Sequence, residues 1–161
     1  MRLIVMRHAK SDWSSAAETD HARPLNERGQ RSARALGKWL RSRDFLPDMA
    51  LISTAVRTRQ TFDLLALRAA GQYSSQMYLA QPQVLFDMVS NAQGQVVLIL
   101  GHNPGIAEFA AQILKAPPHH PRFQDFPTGA TLVADILCDT WDAVAPGCAR
   151  ASAFVTPRDL S

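Results

Sequence analysis

Two histidines and two arginines follow apolar stretches of this sequence, and side chains of these types can transfer a phosphoryl group. They are Arg7, His8, Arg57 and His102. A neutral imidazole can attack phosphorus and carry the phosphoryl group covalently. A guanidinium offers a planar fork of N–H donors to phosphoryl oxygens. A second imidazole can share charge on those oxygens or handle a proton.

Each of these residues also has an ordinary structural explanation when it is considered alone. His8 could be a hydrogen-bonded structural histidine, and Arg57 a charge on a helix surface. The sequence around His102 could be a turn and a helix cap. The four residues occur together at three places where a predicted strand ends, and this joint occurrence favours a common site. The backbone N–H groups at the helix starts after Arg57 and His102 are expected to add to anion binding.

The apolar pattern predicts strands that alternate with helices. The predicted strands are Leu3–Val5, Met49–Ile52, Met77–Leu79, Gln95–Leu100, Thr131–Cys138 and Ala151–Val155. A first helix is expected after the N-cap Asn26 and is ended by Pro47. Three further helices are predicted over Val56–Ala70 with Gly71 as its C-terminal glycine, Gln83–Asn91, and Pro104–Lys115.

This alternation predicts an α/β fold in which a mostly parallel sheet is covered by helices on both sides. The last two strands are expected to form a hairpin around the loop Thr140–Gly147, which would make the sheet mixed. The whole chain, residues 1–161, is interpreted as one domain. Because the carboxyl ends of parallel strands line one edge of a sheet, the two histidines and two arginines should converge there.

The composition is that of a globular protein, with 47% hydrophobic and 19% charged residues. The net charge of +3 fits a solvated surface or an anionic ligand, and no dense Lys/Arg stripe indicates nucleic acid. No apolar stretch has transmembrane length, and Arg7 interrupts the first one, so a cytoplasmic protein with no membrane partner is expected. Cys138 and Cys148 are interpreted as reduced, structural thiols.

The order of these motifs resembles the histidine phosphatase superfamily, and within it the compact SixA-type phosphohistidine phosphatase branch. The resemblance rests on the segments Arg7–Ser11, Asp20–Gly29, Ser53–Thr61 and Leu100–Gly105, with a weaker late match at Phe126–Ala130. It implies a three-layer, phosphoglycerate mutase-like α/β/α sandwich. It also implies that His8 is the phosphoacceptor and that Arg7, Arg57 and His102 complete the phosphate pocket.

Further residues of the first loop are candidates for substrate binding. Ser14 lies near the place where the mutase branch of the superfamily has a phosphate-holding Asn. Asp20 and Arg23 belong to the family-like stretch and are expected to pair near the pocket. Trp13 is expected to form part of a pocket wall. The long polar loop that carries these residues, 9–25, is of a kind that is more often functional than not.

The resemblance is incomplete at the position of a general acid. Superfamily phosphatases that act on esters carry an acidic residue between the second Arg motif and the second His motif. This region offers only Asp63 and Asp87, outside the usual context, and Asp12, Glu18 and Asp20 remain as possible substitutes. An alkoxide needs a proton in order to leave, whereas the imidazole of phosphohistidine can leave already protonated. A missing acid therefore favours a P–N bond in the substrate.

The leading hypothesis is a phosphatase that hydrolyses phosphohistidine on a protein, such as a histidine-containing phosphotransfer domain, and releases inorganic phosphate. One alternative is a small-molecule phosphomonoesterase of the same superfamily, and another is a non-catalytic phosphate-binding module. No cofactor is expected. His119 and His120 suggest a metal but lack a third ligand at suitable spacing, so the loop 116–127 is interpreted as polar and flexible, and no metal is expected.

Overall fold

The computed structural model describes all of residues 1–161, which form six strands and four helices. The strands are β1 (Arg2–Arg7), β2 (Met49–Ser53), β3 (Ala70–Ser74), β4 (Val96–Gly101), β5 (Thr131–Ile136) and β6 (Ala149–Val155). The helices are α1 (Glu27–Ser42), α2 (Val56–Leu65), α3 (Pro82–Ser90) and α4 (Gly105–Ile113). Short 3-10 turns lie at Ser75–Met77, Trp141–Ala143 and Pro157–Leu160.

The strands form one mixed sheet in the order β3-β2-β4-β1-β5-β6. The first four strands of that order pair in parallel, and β5 and β6 add an antiparallel hairpin at one side. The predicted mixed, mostly parallel sheet is therefore confirmed. The parallel strands place their carboxyl ends at one edge, which is where the candidate residues are needed.

Alternation along β1 divides the core into two layers, one on each face of the sheet. Leu3 and Val5 pack in the layer that contains α3 and α4, whereas Ile4 and Met6 pack with α1 and α2. All four side chains are fully buried. Because burying an aliphatic side chain stabilises a fold by roughly 1.5–3 kcal/mol, these layers hold the central strands firmly. The three-layer α/β/α sandwich is thus present.

Helix α1 begins where its N-cap was predicted and anchors the chain that follows β1. The side chain of Asn26 accepts a hydrogen bond from the Gly29 amide at 2.8 Å. A Cβ at Gly29 would lie 2.0 Å from the backbone oxygen of Lys10, so only glycine allows this close approach. The helix ends at Ser42, earlier than the predicted end at Pro47.

The segment between α2 and α3 differs from the prediction. The second helix stops at Leu65, where Ala66 adopts a left-handed conformation with φ of 52°, and does not reach Ala70. Residues Ala70–Ser74 instead form the edge strand β3, so Gly71 is a strand residue and not a helix cap. The predicted strand at Met77–Leu79 is replaced by the turn Ser75–Met77. An exposed edge strand without an apolar run has no periodic signal, which explains the error.

None of the helices combines the length and the apolar character that a membrane span needs. Cys138 and Cys148 are free thiols, half-buried near the β5–β6 hairpin.

Candidate active site

The two histidines meet because β1 and β4 are neighbouring parallel strands. Arg7, the last residue of β1, is in register with Gly101, the last residue of β4. His8 and His102 therefore follow adjacent strand ends, and their ring centroids lie 5.3 Å apart. The amide of His8 donates to the oxygen of Gly101 at 3.1 Å, which continues the strand pairing by one residue. The predicted convergence of these two imidazoles is present.

The ring of His8 is held in one orientation by its own backbone neighbour. Its Nδ1 lies 2.6 Å from the carbonyl oxygen of Ala9. A carbonyl oxygen only accepts, so Nδ1 carries the proton and Nε2 keeps a free lone pair. Burial, together with the nearby His102 and Arg7, lowers the pKa of His8 well below its usual value. His8 is thus neutral at physiological pH and has the tautomer that a nucleophilic Nε2 requires.

His102 is also held neutral, and it is positioned by the end of β2. Its Nε2 lies 2.7 Å from the hydroxyl oxygen of Ser53, the last residue of that strand. Burial and the positive charge of Arg57 lower the pKa of His102 to about 3. Its Nδ1 is buried and has no hydrogen-bond partner. The ring therefore offers a second, unused nitrogen near His8.

Arg57 is the second residue of α2 and is only 2% exposed. The guanidinium donates to the backbone oxygen of Asp20 at 2.7 Å and to its carboxylate at 3.0 Å. Its Nε has no partner. The first loop is also tied to the start of α2, because the amide of Val56 donates to the oxygen of His21 at 3.0 Å.

Arg7 contacts Phe126–Ala130, the late segment whose match to the superfamily is weaker. Its guanidinium donates to the oxygen of Phe126 at 3.2 Å, and its Nε is buried without a partner. The amide of Gly129 in turn donates to the oxygen of His8 at 2.9 Å. Burial and the charge of Arg57 lower the pKa of Arg7, as expected for two guanidiniums held close together. An anion bound between them would relieve that repulsion.

Buried polar side-chain atoms without partners occur only at this site. There are four in the whole chain: Arg7 Nε, Arg57 Nε, His102 Nδ1 and Asn103 Oδ1. A buried polar atom left unpaired costs about 1–3 kcal/mol, so native structures rarely keep one without a functional reason. Three of the four are nitrogens of the residues that the sequence nominated for phosphate binding. An oxyanion is the kind of ligand that such donors recognise.

Asp20 lies beside the arginines, as the sequence suggested, and its contacts keep it ionised. Its carboxylate accepts from Arg23 at 2.5 Å, from Arg57 at 3.0 Å and from the hydroxyl of Tyr78. These hydrogen bonds, with that of Tyr78 the largest contribution, hold the pKa of Asp20 well below its usual value. A carboxylate that is ionised across the physiological range has no proton ready for a leaving group. Asp20 therefore orients Arg57 in this arrangement.

The other two loop candidates differ in their relation to the site. Arg23 donates to the Ser11 hydroxyl at 3.1 Å and stacks on Trp13, with 3.7 Å between the guanidinium carbon and the ring centroid. Ser14 makes a local turn, because its amide and hydroxyl donate to the Asp12 carboxylate at 2.9 and 2.6 Å. Ser14 makes no hydrogen bond to the two histidines or the two arginines of the pocket. The structure therefore does not bring Ser14 together with these four residues.

Three residues that sequence reasoning did not nominate also surround the site. The ring of Tyr78 lies edge-on to His102, with centroids 5.4 Å apart, and to His21 at 4.8 Å. Asn103 donates to the oxygens of Asp125 and Phe126 at 3.1 and 3.0 Å. His21 and Asn103 stand inside the quoted motifs, whereas Tyr78 lies in a segment that was interpreted as a strand and carried no signal.

The remaining acidic and histidine candidates lie elsewhere. Asp63 is exposed on α2, and Asp87 is exposed on α3, where it accepts from Gln83 at 3.2 Å. His120 pairs with Asp159 at 2.9 Å. No three side chains of the types that ligate metals lie together in the chain.

Comparison with known proteins matches this chain to phosphatases. The model of the histidine phosphatase superfamily (branch 1) matches residues 3–81. An uncharacterized protein of Mycobacterium tuberculosis (strain H37Rv) is 33% identical over 160 residues, covering 95% of this chain and 100% of that protein. A solved structure designated phosphohistidine phosphatase SixA, from Nakamurella multipartitia, is 28% identical with a TM-score of 0.86 and covers 97% of this chain and 95% of that one. The protein histidine phosphatase SixA complexed with tungstate has the same fold, with 20% identity, a TM-score of 0.81 and full coverage of both chains.

Proposed function

We propose that this chain, which belongs to the histidine phosphatase superfamily, hydrolyses phosphohistidine on a protein. The reaction passes through a covalent intermediate on His8. The family and its SixA neighbours support a phosphatase. The proposal rests on one combination of features: His8 is neutral with a free Nε2, and the same site holds unpartnered nitrogens on Arg7, Arg57 and His102. A module that only binds phosphate has no need for such a nucleophile.

The first chemical step is the transfer of the phosphoryl group to the enzyme. The lone pair on His8 Nε2 attacks phosphorus, and the P–N bond of the substrate breaks. The substrate imidazole takes the electron pair of that bond and leaves as a neutral ring, because its other nitrogen already carries a proton. The Nδ1 hydrogen bond to Ala9 stabilises the positive charge that develops on His8.

The second step returns the enzyme to its starting state. Water attacks phosphorus on the phosphorylated His8, the P–Nε2 bond breaks, and the electron pair returns to the imidazole. The proton lost by the water leaves with inorganic phosphate or enters solvent. In both steps Arg7 and Arg57 balance the charge on the phosphoryl oxygens. The unpartnered Nδ1 of His102 donates to one of these oxygens when it carries the proton of that neutral ring.

The electrostatics of the pocket favour a substrate that needs no general acid. Asp20, the carboxylate bonded to Arg57, is held ionised by three hydrogen-bond donors. Both pocket histidines are neutral. A P–N bond to a protonated imidazole breaks without a further proton, whereas the alkoxide of a sugar phosphate would leave unprotonated. The two guanidiniums supply the positive charge that a metal ion supplies in other phosphatases, so we propose catalysis without a metal.

The test is a direct comparison of substrates with one enzyme preparation. Purified protein is assayed on a phosphohistidine-bearing phosphotransfer domain, phosphoramidate, p-nitrophenyl phosphate and a set of sugar phosphates, with the His8→Ala variant as the control. We expect turnover of the first three substrates, little turnover of the sugar phosphates, and none by the variant. Rapid hydrolysis of sugar phosphates with no action on the phosphoprotein would assign the chain to the small-molecule phosphomonoesterases instead.

A further inference from the structure

A cleft of about 320 Å³ lies beside the phosphoryl pocket and is formed entirely by the first loop. Its lining includes Trp13, Asp12, Glu18, Asp20 and Arg23. The cleft and the pocket share a wall, because Asp20 lines the cleft and at the same time accepts from Arg57. A group attached to a phosphoryl on Arg57 would therefore have this cleft within reach.

The indole of Trp13 is an open aromatic surface. The residue is 74% exposed, the most exposed of the large hydrophobic residues in the chain. One face of its ring is covered by the guanidinium of Arg23 at 3.7 Å. Arg23 is fixed in turn by Ser11 and Asp20, so the ring rests on a support that is held in place. Because the residue is 74% exposed with one face of the ring covered, the other face is left for a second flat ring to stack on.

The charges of the cleft are opposite in sign to those of the pocket. Asp12, Glu18 and Asp20 contribute three carboxylates, and Arg23 is the single cation. The pocket next to it presents the guanidiniums of Arg7 and Arg57. The two together fit a molecule that has an anionic phosphoryl group at one end and a flat, positively charged ring at the other. An anionic group attached to the phosphoryl would instead be repelled by the carboxylates.

We propose that this cleft is the leaving-group subsite and that Trp13 is a specificity-determining residue, which stacks against the imidazolium ring of the phosphohistidine. This inference rests on the proposed function, because it names the position of the leaving group in that reaction. The exposed position of Trp13 suits a ring that projects from the surface of a partner protein. The carboxylates favour the protonated ring, which is the form that leaves as neutral imidazole.

The experiment compares two small substrates that share a P–N bond and differ in the ring. Phosphoimidazole has the ring and phosphoramidate has none, so their ratio of kcat/KM reports the subsite. In Trp13→Ala, kcat/KM for phosphoimidazole should fall about fivefold, the ratio that corresponds to a stacking free energy of about 1 kcal/mol. The value for phosphoramidate should stay within about twofold of wild type, a change of about 0.4 kcal/mol. Trp13→Phe should restore most of the preference for the ring.

Tyr73→Ala is the matched control. Tyr73 is also an exposed aromatic residue, 45% exposed, with an arginine guanidinium 5.5 Å from its ring centroid, and it lies on the edge strand β3. This variant should leave both substrates unchanged. Equal losses on both substrates in Trp13→Ala, no loss on either, or a selective loss also in Tyr73→Ala would overturn the subsite. Failure of the wild-type protein to cleave either substrate would instead overturn the proposed function.

Discussion

Replacing Arg57 with lysine separates the role of this residue in catalysis from its role in the fold. The arginine uses two nitrogens on Asp20 and has a third, Nε, buried without a partner. Lysine retains the positive charge but has one nitrogen in place of the planar fork. Arg57→Lys can therefore keep an ion pair with Asp20, but it cannot hold two phosphoryl oxygens from a fixed plane.

The expected loss in Arg57→Lys is concentrated in the transition state. Removing one donor that faces developing charge costs about 3 kcal/mol, which corresponds to about two orders of magnitude in kcat. The free energy of unfolding should change by less than about 1 kcal/mol, because the lost hydrogen bonds are offset by removal of a buried, unpaired Nε. A large fall in rate together with a small change in stability is the signature of a substrate-binding role.

Steady-state kinetics on phosphoramidate, urea unfolding and calorimetric titration with tungstate measure these quantities. The matched control is Arg59→Lys, an exposed arginine on the same helix that contacts Tyr73 and not the pocket. It should leave rate, stability and tungstate affinity unchanged. If Arg57→Lys bound tungstate as tightly as wild type and kept its rate, Arg57 would not be part of the phosphoryl pocket.

Three further outcomes are expected. Because arginines supply the charge at the site, dialysis against EDTA should leave turnover unchanged, and activity lost on chelation and regained with added Mg²⁺ or Zn²⁺ would contradict this. Without a general acid, rates should fall steeply from p-nitrophenyl phosphate to alkyl phosphates as the pKa of the leaving group rises. Each tenfold fall in rate corresponds to about 1.4 kcal/mol of barrier. A rate that does not depend on the leaving group would mean that an acid is present, and the first residues to mutate would then be Asp12, Glu18, Asp20 and Asp87. The pKa of His102 is about 3 in the folded protein and about 6.5 when unfolded, so the unfolded state binds the proton first and stability should fall as the pH drops below 6.5. Urea unfolding of His102→Gln should show a weaker decline between about pH 6.5 and 4.5, by up to about 1.4 kcal/mol per pH unit, and an unchanged slope would contradict the buried, neutral state of His102.

The strand ends of the site were predictable because each follows a continuous apolar run. Leu3–Val5 and Val97–Leu100 are buried on both faces, so His8 and His102, which follow these strands, had to lie at the edge of the sheet. Arg57 was found through its position just after β2. Each of these sequence signals is local. The residues come to share one location because the strands that precede them pair in parallel.

Other parts of the site could not be predicted, because tertiary contacts determine them. The edge strand β3 has no apolar run, and the left-handed Ala66 that ends α2 carries no glycine signal. Tyr78 reaches Asp20 only because the turn after β3 directs it back across the end of the sheet. The hydroxyl of Ser14, which the resemblance to the mutase branch suggested for phosphate binding, is likewise engaged in a local turn with Asp12.

The ionisation of Asp20 is a further property that sequence does not reveal. Its place with Arg23 in the family-like stretch suggested a pair, and the two side chains lie 2.5 Å apart in the structure. The simultaneous bonds from Arg57 and Tyr78 come from distant parts of the chain. They change the interpretation of this carboxylate from a possible proton donor to a group that orients an arginine.

In the proposed mechanism the phosphoryl group passes through Nε2 of His8. Rapid quench of the enzyme with ³²P-labelled phosphohistidine protein, followed by peptide mapping, tests it directly. We expect transient label on the peptide that contains His8, stable in alkali and lost in acid, and no label in His8→Ala. Label on another residue, or near-normal turnover by His8→Ala, would contradict it.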